Sequence, residues 1–169
     1  MDWPRPGRHM QTLWVLFRIR GRQPRGRPNA QQETDNVPLI ALTRLHLRSA
    51  RYLPQFYWHV VGSWLQARRA SGCLGVRLLR EADNTFWTST GWQDDAAMKA
   101  FMLRGSHRSA MPKLKRWCDE ASVAQWHQDR AELPDWIEAH RRMVQDGRPS
   151  RVNDPSAAHI AFKIPRPRV

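Results

Sequence analysis

At 169 residues the chain has room for one domain with a real core plus tails. Its formal net charge is +13, but the basic residues are spread along the chain without a run of five like charges, and no nucleic-acid motif accompanies them, so a specific nucleic-acid partner is not expected. Two cysteines, Cys73 and Cys118, have no C-x-x-C partner, which argues against a disulfide framework or a zinc site and fits a reducing, cytoplasmic setting.

Residues 1–36 are rich in Arg, Pro, Gly, Gln and Asn and read as a disordered basic extension. Their one apolar island, Leu13 to Phe17, is too short to span a bilayer, so no membrane span is expected. Order should begin near Val37. Leu39, Ala41, Thr43, Leu45 and Leu47 then alternate with Ile40, Leu42, Arg44, His46 and Arg48, which predicts a first strand. Pro54 suits the first turn of a helix, and Phe56, Val60, Val61, Trp64, Leu65 and Ala67 recur at helical spacing as far as Ala70. Gly72 stops that helix.

Leu74 to Glu81 and Thr85 to Trp92 alternate as a second and a third strand. Ala82-Asp83-Asn84 between them suits a tight hairpin. Asp94 stands at an N-cap position, with Asp95 in the first turn of the helix that follows. Gly105 should end or bend that helix, and Ser106 is placed to cap a second helical segment through Met111 to Trp117. Pro112 implies either a restart there or a kink. Ala121 to Gln128 alternates as a fourth strand. Pro134 opens a last helix, Asp135 to Gln145, closed by Gly147, and Ala157 to Ile164 reads as a short edge strand.

The order β-α-β-β-α-β predicts an α+β, ferredoxin-like fold: an antiparallel sheet with helices on one face. The expected division is 1–36 extension, 37–130 α/β-barrel domain and 131–169 C-terminal helix and tail. The uncovered face of such a sheet would carry Trp87 or Trp92, Arg44, His46, Arg77 and Gln125 or His127. That mixture is too apolar for water, and two copies packed face to face would bury it. The expectation is therefore a homodimer whose barrel-like interior, lined by aromatic and a few polar groups, takes a small apolar ligand.

The third strand, the junction Trp92-Gln93-Asp94-Asp95-Ala96-Ala97-Met98 and the run Gly105-Ser106-His107-Arg108 resemble the dimeric α/β-barrel superfamily that includes antibiotic-biosynthesis monooxygenases. The run from Leu42 through Trp126, with Gln66-Ala67-Arg68, Gly72-Cys73-Leu74-Gly75 and Phe86-Trp87-Thr88, is similar to a bacterial branch akin to spheroidene monooxygenase. The likeness covers roughly 37–128 and implies a dimeric barrel. For chemistry it leaves three kinds of member open: cofactor-free oxygenases, haem enzymes and proteins without known activity. In the haem-degrading relatives an axial histidine sits about one turn after the position matched by His107. Here Met111 holds that place, and a lone thioether is a weak ligand, so haem lacks a matched axial residue and the cofactor is left open.

Two functional readings follow. In the first, a monooxygenase-like enzyme, His107 and Arg108 act on a hydrophobic substrate bound among Trp87, Trp92, Arg44, His46, Arg77, Met111 and His127. In the second, the same dimer binds or senses an apolar ligand without catalysis. No H-x-H or H-x-x-x-H spacing supports a metal site. His59, on the first helix, reads as an ordinary packed or half-exposed residue.

Overall fold

The computed structural model describes residues 37–168. The basic extension expected over 1–36 lies outside the described residues. Strand β1 (Leu39–Leu47) is followed by a short 3-10 turn (Ala50–Tyr52) and helix α1 (Leu53–Arg69). Then come β2 (Cys73–Arg80), β3 (Thr85–Trp92), α2 (Asp95–Met102), α3 (Gly105–Trp117) and β4 (Cys118–His127). The C-terminal part adds α4 (Trp136–Asp146), a two-residue strand β5 (Arg148–Pro149) and a one-turn helix α5 (Ala157–Ile160).

The sheet runs β2-β3-β1-β4-β5 with every pairing antiparallel. This is the expected α+β, ferredoxin-like arrangement with β5 added at the β4 edge. Local chemistry explains the element ends. Asn84 takes a left-handed φ of 64° in the β2–β3 hairpin, a conformation that Asn tolerates better than most residues. Asp94 caps α2 by accepting from the Ala97 N–H at 2.7 Å, which occupies one of the helix's orphan donors.

Three expectations are corrected. The segment 157–164 is not a strand: the Ser156 hydroxyl accepts from the His159 N–H at 3.0 Å and starts α5, and Phe162, at φ 46°, turns the chain out of it. Strand β4 begins at Cys118 rather than Ala121, because Cys118 pairs with Leu47 across a bulge. Ser106 does not cap α3. That role falls to Gln66 on α1, whose amide donates to the Phe101 and Arg104 carbonyls at 2.9 and 3.0 Å while its oxygen accepts from the His107 N–H at 3.2 Å. One side chain thus satisfies both the end of α2 and the start of α3. Pro112 lies inside a continuous α3, so the chain does not restart there.

Two-residue periodicity divides the sheet into two faces. One carries Leu39, Leu45, Leu47, Phe86, Trp92 and Ala121, packed under α1, α2 and α3 with Phe56, Ala67, Met98, Phe101 and Trp117. The other carries Ile40, Leu42, Leu79, Trp87, Ala124 and Trp126. The expectation for this second face is a bare surface, and it is not bare: Trp136, Ala139 and Met143 of α4 pack on it, with Leu133 and Ile164 beside them. Gly75 and Gly91, paired across β2 and β3, leave the socket for Leu133, since a Cβ on Gly91 would stand 3.1 Å from the leucine.

The tail is tied to the same layer. The Ile164 carbonyl lies 2.9 Å from His140 Nε2, and the Arg168 N–H donates to Glu81 at 3.2 Å. With this face covered by its own chain, the sheet has no bare apolar side that must recruit a second copy.

Candidate functional site

The cavity lies on the other side of the sheet, between the strands and the three helices, and encloses about 290 Å³. Its floor is Thr43, Thr88, Thr90, Trp92 and Val123. Its roof is Phe56, Val60 and Ala67 from α1, Met98 and Phe101 from α2, and His107, Ala110, Met111 and Leu114 from α3. One end is closed by Ser150, Arg151 and Val152, which the C-terminal segment carries past the β4 edge through the Ser150 N–H to Ala121 carbonyl bond of 2.8 Å. The lining is mostly apolar with a few polar groups, the usual constitution of a small-molecule site, and the volume is near the lower end of the roughly 300–1,000 Å³ such sites span.

A row of rings runs from the floor to the roof. Trp92 and Phe101 have centroids 4.9 Å apart, and Phe101 and His107 are 4.6 Å apart, both pairs tilted. The Trp92 N–H is already used, donating to the Thr90 hydroxyl at 2.9 Å, which in turn donates to the Ala41 carbonyl at 3.2 Å. His107 differs. Its Nδ1 is buried with no hydrogen-bond partner. Burial holds its pKa below the ordinary histidine value, against a smaller opposing pull from the Met102 carbonyl. At neutral pH it is a neutral imidazole in an apolar wall.

His59 joins the same wall from α1. Its Nε2 lies 2.8 Å from Lys113 Nζ on α3, so the neutral ring accepts from the ammonium. Burial and then that cation lower its pKa. From sequence His59 reads as an ordinary packed or half-exposed residue. The signal that places it here is the stripe Phe56, His59/Val60, Ser63, Ala67, in which polar residues interrupt an apolar helix face at helical spacing.

The residues proposed from sequence do not form one site. His107, Trp92 and Met111 line the cavity, with Met111 half exposed at its rim. Trp87, Arg44, His46 and Arg77 belong to the opposite face. There Trp87 Nε1 donates to Glu81 at 2.7 Å, and Arg77 donates to the Pro134 carbonyl at 2.7 Å. Arg44 pairs with Glu120 at 2.5 Å, and His46 with Asp119 at 2.6 Å. These are structural bonds beneath α4 and along the tail, since Glu120 also accepts from Ser156 at 3.0 Å. His127 is exposed at the end of β4 and meets Asp95 at 2.8 Å. Arg108 is exposed and lines an outer groove with Trp58, Leu103 and Arg104. Within the one chain, the cavity lies on the sheet face under α1, α2 and α3.

Among the described residues no group of three or more His, Cys, Asp or Glu side chains is placed to hold a metal ion. Met111, which holds the place of the axial histidine in the haem-degrading relatives, stands half exposed at the rim, and His107 packs ring against ring on Phe101. No helix among the described residues is long and apolar enough to cross a membrane.

Residues 65–113, which carry Trp92, Met98, Phe101 and His107, match the model of the antibiotic biosynthesis monooxygenase family. No curated protein matches the chain. Among solved structures, Rv0793 from Mycobacterium tuberculosis has a TM-score of 0.50 at 12% identity, covering 56% of this chain and 99% of its own. SnoaB, a cofactor-independent oxygenase from Streptomyces nogalater, gives 0.47 at 18% identity over 58% and 98%. PA3566 from Pseudomonas aeruginosa gives 0.49 at 14% over 56% and 96%. The likeness to Rv0793 is one of fold alone.

Proposed function

We propose that this chain is a monooxygenase-like enzyme that takes a compact, electron-rich apolar molecule into the cavity and uses His107 as its base. The observation that carries this reading is the imidazole of His107, which lines the cavity, is held neutral by burial and adjoins a row of aromatic rings. The family match over 65–113 supports it, because that span supplies much of the roof.

The neutral imidazole carries its proton on one ring nitrogen and presents a lone pair at the other. A substrate methylene made acidic by flanking aryl or carbonyl groups gives that lone pair a proton, and the carbon keeps the electron pair. The carbanion reduces dioxygen and forms a C–O bond, and the imidazolium returns its proton to make a hydroperoxide. Loss of water then breaks the O–O bond and leaves a carbonyl. In balance, one substrate methylene and one dioxygen give one carbonyl and one water, with dioxygen as the sole oxidant. The aromatic row and the apolar wall exclude water from the anion and hold the substrate flat.

The test is oxygen uptake and product analysis with dihydroxyaryl ketones and anthrone-type compounds, alongside calorimetric binding. His107→Gln is expected to lower turnover by about 100-fold or more while the Kd changes less than about threefold. Unchanged turnover in that variant, or no oxygen uptake with any such compound that binds, overturns the assignment.

A second reading, ligand binding without catalysis, is favoured by one fact: Arg108, the group expected to hold a developing oxyanion, lies outside the cavity. It predicts tight binding with no turnover, and Trp92→Ala weakening binding more than His107→Gln does. The homodimer implied by the family resemblance belongs to this proposal too. With one sheet face under α4, it would use another surface, and sedimentation of the full chain over a concentration series tests it.

A further inference from the structure

Helices α1 (17 residues) and α3 (13 residues) pack side by side over the sheet and contain no aspartate or glutamate. They and the α2–α3 junction present Arg104, Arg108, Lys113, Lys115 and Arg116. The α4 layer on the far side is balanced, with Glu138 between Arg141 and Arg142, and Asp146 meeting Arg142.

The cationic side also carries large apolar groups in water: Trp58 is 81% exposed, Leu103 65% and Val61 51%. Trp58 and Leu103 line one outer groove together with Arg104 and Arg108. An exposed indole and aliphatic side chains framed by arginine, with no carboxylate among them, match the two demands of a bilayer interface: an apolar wedge for the headgroup boundary and cations for anionic lipid.

We infer that the outer surface of α1 and α3, centred on Trp58 and Leu103, docks on an anionic lipid bilayer. Charge complementarity favours this occupant over a second copy of the chain, because the same surface on a partner would bring like charge against like. The exposed aliphatic side chains of Leu103 and Val61 beside Trp58 suit the acyl boundary of a bilayer. Met111 and Lys115 belong both to α3 and to the cavity lining, so docking brings the cavity rim toward the membrane and shortens the aqueous path of an apolar ligand. Docking of this kind rests on surface chemistry alone and does not require the proposed reaction.

The test is sedimentation of the full chain with vesicles of phosphatidylcholine alone and of phosphatidylcholine mixed with phosphatidylglycerol. Binding to the anionic vesicles is expected to be at least about tenfold tighter and to weaken in high salt. The triple variant Arg104→Gln/Arg108→Gln/Arg116→Gln should lose about tenfold or more of it, and Trp58→Ala several-fold, whereas Arg141→Gln on the opposite side should lose none. Circular dichroism confirms that each variant folds. Equal affinity for neutral and anionic vesicles, retention of full binding by the triple variant, or binding to a DNA duplex with none to vesicles each overturns the proposal.

Discussion

The two faces of this sheet start from similar material and end differently. Each carries a buried tryptophan from β3, Trp92 on one side and Trp87 on the other, both almost fully out of solvent. Under α4 the space is filled: Trp136 and Met143 close over Trp87, Leu133 drops into the Gly75/Gly91 socket, and charged groups meet carboxylates and carbonyls. Under α1, α2 and α3 the packing stops short and leaves about 290 Å³ with a neutral imidazole in its wall. Close packing is the norm for protein interiors, so a space this size among aromatic rings is the feature on which the proposed function rests. The filled side is what holds the sheet.

The largest break in that contrast comes from the filled side. Trp136→Ala removes the main α4 anchor and is expected to lower stability by about 3–5 kcal/mol, read from urea unfolding. It should also make the molecule associate at higher concentration as the face opens. A loss under about 1 kcal/mol would mean that α4 is not what covers the sheet.

The next effect concerns the junction that supports the cavity. Gln66→Ala removes three hydrogen bonds at the α2–α3 break and is expected to cost about 1–3 kcal/mol. Ligand affinity should fall with it, because the His107 backbone N–H loses its acceptor. Unchanged affinity would show that His107 is positioned by Phe101 alone.

The smallest effect is a pH dependence. Burial depresses the pKa of His107, and burial with Lys113 depresses that of His59, so the folded chain stays neutral at both where the unfolded chain takes up protons. Stability is therefore full above the ordinary histidine value of 6.5. It falls as pH drops from there toward the folded values and levels off below them. Urea midpoints measured between about pH 7.5 and about pH 5 check this. His107→Phe should flatten the slope, and an unchanged slope would remove His107 from the account.

Strands β1 to β4, the Asn84 hairpin and the Asp94 cap were legible in the sequence because they depend on neighbours within a few residues. Alternation also placed Trp87 and Trp92 on opposite faces, since they are an odd number of residues apart. It could not say what lay above either one. The stripe Trp136, Ala139, Met143 announces that α4 buries one side, but a stripe carries no address, and a dimer partner or the chain's own sheet satisfies it equally. His107 was legible through its place after Gly105. Its isolation from Arg108 follows from helix geometry, because consecutive residues point about 100° apart. His59 was missed for the converse reason: its partner, Lys113, is distant in sequence and meets it only when α1 and α3 pack.

The path of the C-terminal segment has a practical consequence. Residues 131–169 look dispensable beside a fold that is already complete by β4, and a truncation at residue 130 is the natural choice for making a minimal domain. Such a fragment would lose the lid over Trp87 and, through Ser150, Arg151 and Val152, one end of the pocket as well. Any assay of recognition or turnover run on the shortened piece would be measuring a vessel with its side cut away.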